Sequence, residues 1–457
     1  MKQKSKIKQK MTAKKPTFTS RKQKLISNKL SATSNKQTDI DNLSVLAGIF
    51  GLASTREESK IILTPVPWEV TTSYGGGTSL GPQAILNASP QIDLFDHEFG
   101  EPYTVGYFLD DEDPFFMNTN NKLKILSQKV ISTWDEFSAA SENEQSLRAR
   151  AQNTTQSKDL LRTSEDLSLA TSSTKTPPSA HHSKFAELPQ SAANKSKSSA
   201  KSKLQKIADQ VNTGCNEMVE KVYARTKAIL SENKIPGLIG GDHSTPLGAI
   251  KAVCEKYNGN VGILHIDAHA DLRLSYQGFH HSHASIMRNV CLLKTRPKKL
   301  VQVGIRDFCK EEYDFIKCNP SLISTHFDLQ LKTDLHKGDS WHSICDKIIN
   351  ELPEQVYISF DIDGLSPEFC PNTGTPVPGG LSFDQVLYLI ASIHRLHKKI
   401  VGFDLNEVAP KAITQTKPTS KKSKLIDESD EWDGNVGSRL LFKMCGWAAV
   451  TNKLYSR

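Results

Sequence analysis

No stretch of the 457-residue chain approaches the roughly eighteen consecutive apolar residues that a membrane-crossing helix needs, so no spanning segment is expected. The N-terminus carries no apolar h-region, which argues against a secretory signal. Cysteine is sparse and scattered, eight residues with no C-x-x-C pair and no regular spacing. In a chain of this length that excludes a disulfide framework and points to reduced thiols in a cytoplasmic setting. Hydrophobic content is low as well, at 37%, so part of the chain is not expected to join a core.

Acidic residues are missing from one end. Residues 1–38 hold eleven Lys, one Arg and no Asp or Glu, while the rest of the chain sets 46 basic residues against 50 acidic ones. The formal charge of +8 therefore belongs to a tail, residues 1–40, and the body is mildly acidic. Such a segment suits a disordered solubilising extension; a nucleic-acid or membrane-surface arm and an organelle transit peptide are the alternatives. A second poor stretch, residues 138–204, is dominated by Ser, Ala, Lys, Gln and Thr. It buries too little apolar area to offset its ordering entropy and is expected to be a disordered insertion. The folded domain is then split into residues 41–137 and 205–457.

Within those parts, short apolar runs alternate with helical patterns. The runs fall at 60–66, 103–109, 234–240, 261–267, 300–306, 322–328, 355–361 and 399–405, and several are nearly continuous in apolar character, as for strands covered on both faces. Residues 206–231 and 384–397 repeat apolar side chains at helical spacing. The alternation predicts an α/β fold around one parallel, doubly wound sheet of about eight strands.

Four of these runs end in chemically dense segments: GGDHS (240–244), DAHAD (267–271), DID (361–363) and DLNE (404–407). Open α/β sheets place ligands at such strand ends. In extended backbone, residues two apart point to one side, so Asp267, His269 and Asp271 are expected to converge, as are Asp361 and Asp363. His243, after a Gly-Gly turn, adds an imidazole from a third strand end. A lone D-x-H is more often a capping feature, but six such residues in one cleft would repel unless divalent cations lay among them. Four Asp and two His suit Mn²⁺, with Fe²⁺, Co²⁺ or Ni²⁺ possible, and a pair of ions about 3.5–4 Å apart can activate a shared water.

Together these segments resemble the arginase/agmatinase (ureohydrolase) family, through GGDHS, DAHAD and SFDIDGLSP. The likeness continues in PWEVTTSYGGGTSLGPQAI (67–85), VQVGIRDFCKEE (301–312), PNTGTPVPGGLS (371–382) and GFDLNEVAP (402–410). The tail and the 138–204 stretch lie outside it. The resemblance implies a three-layer α/β/α sandwich and two Mn²⁺ ions per chain. His243 and Asp271 would hold one ion, His269 and Asp363 the other, with Asp267 and Asp361 bridging. It also implies hydrolysis of a guanidino C–N bond by a metal-activated water. Asp271 would handle the water's proton, His283 in SHASIMR would shuttle a proton to the leaving amine, and Glu407 would pair with the guanidinium. Either of the last two has a plainer reading, a surface histidine beside His280 and His281, and an ordinary strand-end acid.

Three departures stand out. Ser366 replaces the third Asp of the DxDxxDP pattern, Ala284 follows His283 where many members have Gly, and Arg273 stands where arginases carry an Asn. The D-L-R and EVAP wording resembles agmatinase more than arginase, while Arg273 raises arginine, guanidinobutyrate and guanidinopropionate as substrates; a formimino substrate is a further alternative. The family commonly forms trimers or hexamers. Two other classes compete. A binuclear phosphoesterase also uses D-x-H but needs late His-bearing segments that this chain lacks. A non-catalytic regulator on the same fold would be expected to have lost ligands, and all six remain.

Overall fold

Eight parallel strands form a single sheet in the order β2-β1-β3-β8-β7-β4-β5-β6, where β1 is Ile61–Val66, β2 Tyr107–Leu109, β3 Ile235–Gly240, β4 Gly262–Ile266, β5 Lys299–Ile305, β6 Ile323–Phe327, β7 Gln355–Asp361 and β8 Lys399–Asn406. The structure is a computed structural model that describes residues 48–134, 195–413, 425–426 and 431–455. The basic tail and residues 138–194 of the low-complexity stretch lie outside the described residues. Gly48–Arg457 forms one compact unit.

The period of two along each strand divides the core into two layers. Leu264 and Ile266 of β4 and Ile358 and Phe360 of β7 pack into one cluster, with α8 (Trp341–Asn350), α9 (Phe383–Arg395) and α10 (Trp432–Thr451). Ile263 and Tyr357, one residue away on the same strands, join the other cluster. That layer holds α2 (residues 114–134), α3 (Lys195–Ser231), α4 (Leu247–Lys256) and α5 (Ile286–Cys291). Both faces of the sheet are thus covered, which is why its strands read as near-continuous apolar runs. The remaining helices of the sheet connections are α1 (Gly81–Ala88), α6 (Lys310–Cys318) and α7 (Asp328–His336). The expected three-layer α/β/α architecture is observed. No described helix is long and apolar enough to cross a membrane, and all eight cysteines are free.

Two expectations need adjusting. The run 103–109 is strand only at Tyr107–Leu109; Pro102–Val105 forms a 3₁₀ turn, and Gly106 separates the two at a φ of 79°. Helix α3 begins at Lys195, so its first ten residues fall within the stretch expected to be disordered.

The order of the sheet decides where chemistry can gather. Strands β3, β8, β7 and β4 are consecutive neighbours although β8 comes last in the chain. Their carboxyl ends bear the four dense segments side by side. Gly241 holds the first of these close: its carbonyl accepts the Glu407 N–H at 2.8 Å, and the next residue, Asp242, donates its N–H to the Trp68 carbonyl at 2.7 Å. A Cβ on Gly241 would run into that same Trp68 carbonyl. Gly241→Ala is therefore expected to lower unfolding stability by roughly 1–3 kcal/mol, as overpacking does. A shifted midpoint in urea unfolding checks this; an unchanged midpoint would show that the turn has room to spare.

Candidate metal centre

Each expected site residue is set by a local device at its strand end. After β3, Asp242 Oδ1 accepts the Ser244 N–H at 3.0 Å, forming the turn that carries His243. After β4 the chain does not continue extended. Asp267 Oδ1 accepts the His269 N–H at 2.6 Å, and Asp271 takes a left-handed φ of 53°. The strain of that conformation for a non-glycine residue is met by the start of α5, where Met287 and Arg288 donate to the Asp271 carbonyl at 3.0 and 3.1 Å. After β7, Ile362–Gly364 forms a 3₁₀ turn in which Asp361 Oδ1 accepts the Asp363 N–H at 2.9 Å. The side chains converge through turns rather than through the simple alternation of extended backbone.

The resulting geometry has two parts that share one residue. His243 Nδ1 lies 2.9 Å from Asp267 Oδ2 and 3.3 Å from both Asp271 Oδ2 and Asp361 Oδ2. His269 Nδ1 lies 3.1 Å from Asp363 Oδ2 and 3.5 Å from Asp267 Oδ1. Among the described residues, two groups of donor atoms have the spacing of a metal site: His243, His265, Asp267 and Asp271, and then Asp267, His269 and Asp363. Asp267 belongs to both. Asp361 is in neither group but meets His243 directly.

The electrostatics show what this crowding costs. Burial, and then the Asp267 charge, pushes Asp271 up to about 7. Burial followed by Asp363 and Asp267 drives Asp361 well above the usual carboxylate range. Burial would lower His243, yet hydrogen bonds to Asp267, Asp271 and Asp361 outweigh it and raise the ring well above its ordinary value. Carboxylates packed this closely call for positive charge among them.

A divalent cation fits that need. His243 Nε2 is 3.0 Å from Ser359 Oγ, which donates to Asp404 Oδ1 at 3.0 Å. The serine hydrogen is therefore committed to Asp404, so Nε2 carries a proton, and Nδ1, the nitrogen facing the carboxylates, is the one that would offer its lone pair to a cation held among them. That is the tautomer a metal-ligating histidine adopts when its second nitrogen donates to an outer partner. The oxygen-rich, two-imidazole donor set suits Mn²⁺ and neighbouring divalent ions rather than structural zinc.

The other expected residues are nearby. Glu407, at a left-handed φ of 61°, is buried with Oε1 accepting the His243 N–H at 2.9 Å. Its Oε2 lies on the side of Gly374. Burial and then Asp242 raise its pKa well above normal. His283 begins a 3₁₀ turn capped by Ser282, its ring edge-on to Tyr276 at 5.9 Å. Burial and then the nearby His269 and His243 lower it to about 4. Arg273 lies with its guanidinium 5.1 Å over Tyr276 and its Nε 3.7 Å from the buried Glu312. At Ser366 the local turn forms without the missing aspartate, since Ser366 donates its N–H to Leu381 and accepts from that of Phe369, both at 2.9 Å.

The sequence matches the model of the Arginase family over residues 170–428. The chain belongs to the arginase family. The match begins inside the stretch expected to lie outside the family sequence. An agmatinase of Bacillus cereus is 33% identical over 194 residues, covering 42% of this chain and 61% of that protein. An N(1)-aminopropylagmatine ureohydrolase of Thermus thermophilus is 38% identical over 173 residues, covering 38% of this chain and 54% of the relative. Each alignment thus spans less than two thirds of the relative's own length. Among solved structures, the agmatine ureohydrolase of Thermoplasma volcanium superposes with a TM-score of 0.53 at 19% identity, covering 94% of this chain and all of that one. The proclavaminate amidino hydrolase of Streptomyces clavuligerus gives 0.56 at 19%, covering 88% and 97%. At such identities the likeness concerns the fold. This member of the arginase family therefore carries a buried His/Asp cluster with metal-site spacing on the expected α/β sheet.

Several residues around the site escaped sequence reasoning. His265 lies two positions before Asp267, and the period of two, applied one step earlier, points to it. Asp404 opens the DLNE segment itself, and Ser359 lies two residues before DID. Asn212 of α3 gave no such signal. Its Nδ2 donates to the Gly278 carbonyl at 3.1 Å and its Oδ1 accepts the His280 N–H at 3.0 Å, gripping the loop that leads to His283. Asn212→Ala should speed amide exchange at His280 by about two- to tenfold, the worth of one such hydrogen bond. Exchange followed by mass spectrometry, unchanged across 276–283, would show that the loop is held otherwise.

Proposed function

We propose that this chain is a binuclear-metal hydrolase of a guanidino C–N bond, agmatinase-like, taking up water and releasing urea and an amine. The observation that carries it is the pair of carboxylate–imidazole groups joined at Asp267 beside the buried Glu407. His243 and Asp271 would hold one divalent ion, His269 and Asp363 the other, with Asp267 and Asp361 between them. Mn²⁺ is the best-suited metal, with Fe²⁺, Co²⁺ or Ni²⁺ as alternatives. When bound, such an ion pair supplies Lewis-acid activation of water near neutral pH.

The chain's own groups do the rest. Glu407 keeps one oxygen on the His243 N–H, so its other oxygen is the one offered to a guanidinium, orienting the planar cation by charge-assisted hydrogen bonds. Asp271 receives the proton given up by the attacking water. His283, neutral at pH 7 because burial holds it low, is the candidate to carry a proton onward to the departing nitrogen. Arg273 is a poor receptor for a carboxylate-bearing substrate tail, because its charge is already partly met by Glu312 and its face by Tyr276. Agmatine is therefore preferred over arginine, guanidinobutyrate and guanidinopropionate. Convergence of all six ligand candidates favours catalysis over a purely regulatory role.

The deciding assay measures urea released by Mn²⁺-loaded protein from these four substrates, before and after chelation. Turnover of agmatine that chelation abolishes and Mn²⁺ restores is expected. Silence with all four would refute the guanidino reading and leave a formimino compound as the next substrate. With an active substrate in hand, Glu407→Gln should reduce kcat/KM roughly ten- to hundredfold, the worth of a charged hydrogen bond. His283→Asn should lower kcat by about 10²–10⁴-fold, as loss of general acid–base help does. Full activity in either variant would remove that residue from the mechanism.

A further inference from the structure

The interior of a parallel sheet covered on both faces is normally apolar. One transverse row of this sheet is not. Thr325 on β6 pairs in register with Gln302 on β5, Gln302 with His265 on β4, His265 with Ser359 on β7, and Ser359 with Asp404 on β8. Residues opposite one another in parallel strands share a face, so five polar side chains run in a line across five strands. Gln302, His265, Ser359 and Asp404 are fully buried. Burying so many polar groups is costly unless they are hydrogen-bonded, and every member of the row makes at least one such bond, Asp404 through Oδ1 alone.

The bonds give the row a direction. Thr325 Oγ1 donates to Gln302 Oε1 at 2.9 Å, and Gln302 Nε2 donates to the Ala270 carbonyl at 2.8 Å. Those two partners fix which way the amide points, since a flipped amide would set oxygen against the Ala270 carbonyl. The second Nε2 hydrogen then meets His265 Nδ1 at 3.0 Å. His265 Nδ1 must accept, so its proton sits on Nε2, which lies 2.8 Å from Asp267 Oδ2. Neither ring nitrogen is left to bind a metal, although His265 is close enough to be grouped with the donors. On the other side of the row, Ser359 and Asp404 take up the proton side of His243.

We propose that this row is the floor of the metal site, with His265 as a positioning residue. The Thr325–Gln302–His265 half presents an N–H to Asp267, and the Ser359–Asp404 half receives one from His243. The one half aims the shared carboxylate and the other aims the imidazole lone pair. The proposal rests on reading Asp267 and His243 as ligands, but not on any choice of substrate.

Its test is a calorimetric titration of the full chain with Mn²⁺ chloride, alongside the thermal midpoint of the metal-free protein. His265→Leu removes the donor, and His265→Gln places an amide N–H near the lost Nε2. The Leu variant should bind Mn²⁺ about 10–100-fold more weakly, the usual effect of losing an outer partner of a ligand, and the Gln variant should recover most of that loss. Gln302→Glu gives a near-isosteric second route should His265→Leu fail to fold. Its carboxylate calls for a proton on His265 Nδ1, which opposes the row's direction, and weakened Mn²⁺ binding is again expected. Unchanged affinity in His265→Leu, or in Gln302→Glu where the former does not fold, overturns the proposal. So does equal weakening in the Leu and Gln variants, which would mean packing alone. A lowered metal-free midpoint with wild-type affinity has the same meaning. A wild-type chain that binds no Mn²⁺ overturns the floor and the metal reading together. One that binds Mn²⁺ yet releases no urea refutes only the guanidino substrate and leaves the affinity comparison intact.

Discussion

Four carboxylates and two imidazoles, taken out of water and brought within hydrogen-bond distance of one another, form the constraint on which the rest of this structure depends. Like charges so close cannot all remain ionised. Asp271 is pushed up to about 7, by burial and then by Asp267, and His243 is raised as well, by three carboxylates against the effect of burial. Such an arrangement is unfavourable for folding alone, and the surrounding structure spends its hydrogen bonds on keeping it in place. The cluster makes physical sense as a receptacle for positive charge.

The scaffold answers that constraint in three ways. Strand order sets β3, β8, β7 and β4 side by side, so segments distant in sequence end within one cleft. Glycine at 241 lets the Trp68 loop, the His243 turn and Glu407 close on one another at backbone distance. Beneath them, the row from Thr325 to Asp404 replaces apolar side chains with directed hydrogen bonds. Membership of the arginase family and its implied guanidino chemistry agree with this picture, because a planar cation next to Glu407 would complete the balance of charge.

Much of this was legible in the sequence. Eight apolar runs gave eight strands, because strands covered on both faces must be apolar throughout. Exceptions have physical causes: Gly106 breaks the run at 103–109, and α3 extends back to Lys195 through a segment of little apolar character in which Lys, Ala and Leu, good helix formers, alternate with Ser. The site's residue types were legible as well, since GGDHS, DAHAD and DID concentrate metal-binding side chains at strand ends. The reason first given for their convergence was incomplete. Asp271 and Asp363 reach the cluster through a left-handed turn and a 3₁₀ turn, both fixed by contacts that sequence spacing does not encode.

What the sequence determined by itself was the alternation of strand and helix, the identity of the acidic and imidazole groups, and the ends of the strands on which they sit. These follow from local periodicity and side-chain chemistry. Only the tertiary structure decided that His265 and Gln302 would stand opposite each other on neighbouring strands, and which nitrogen of His243 and of His265 would carry the proton. Those outcomes depend on register and on partners dozens of residues away, and no local pattern carries that information.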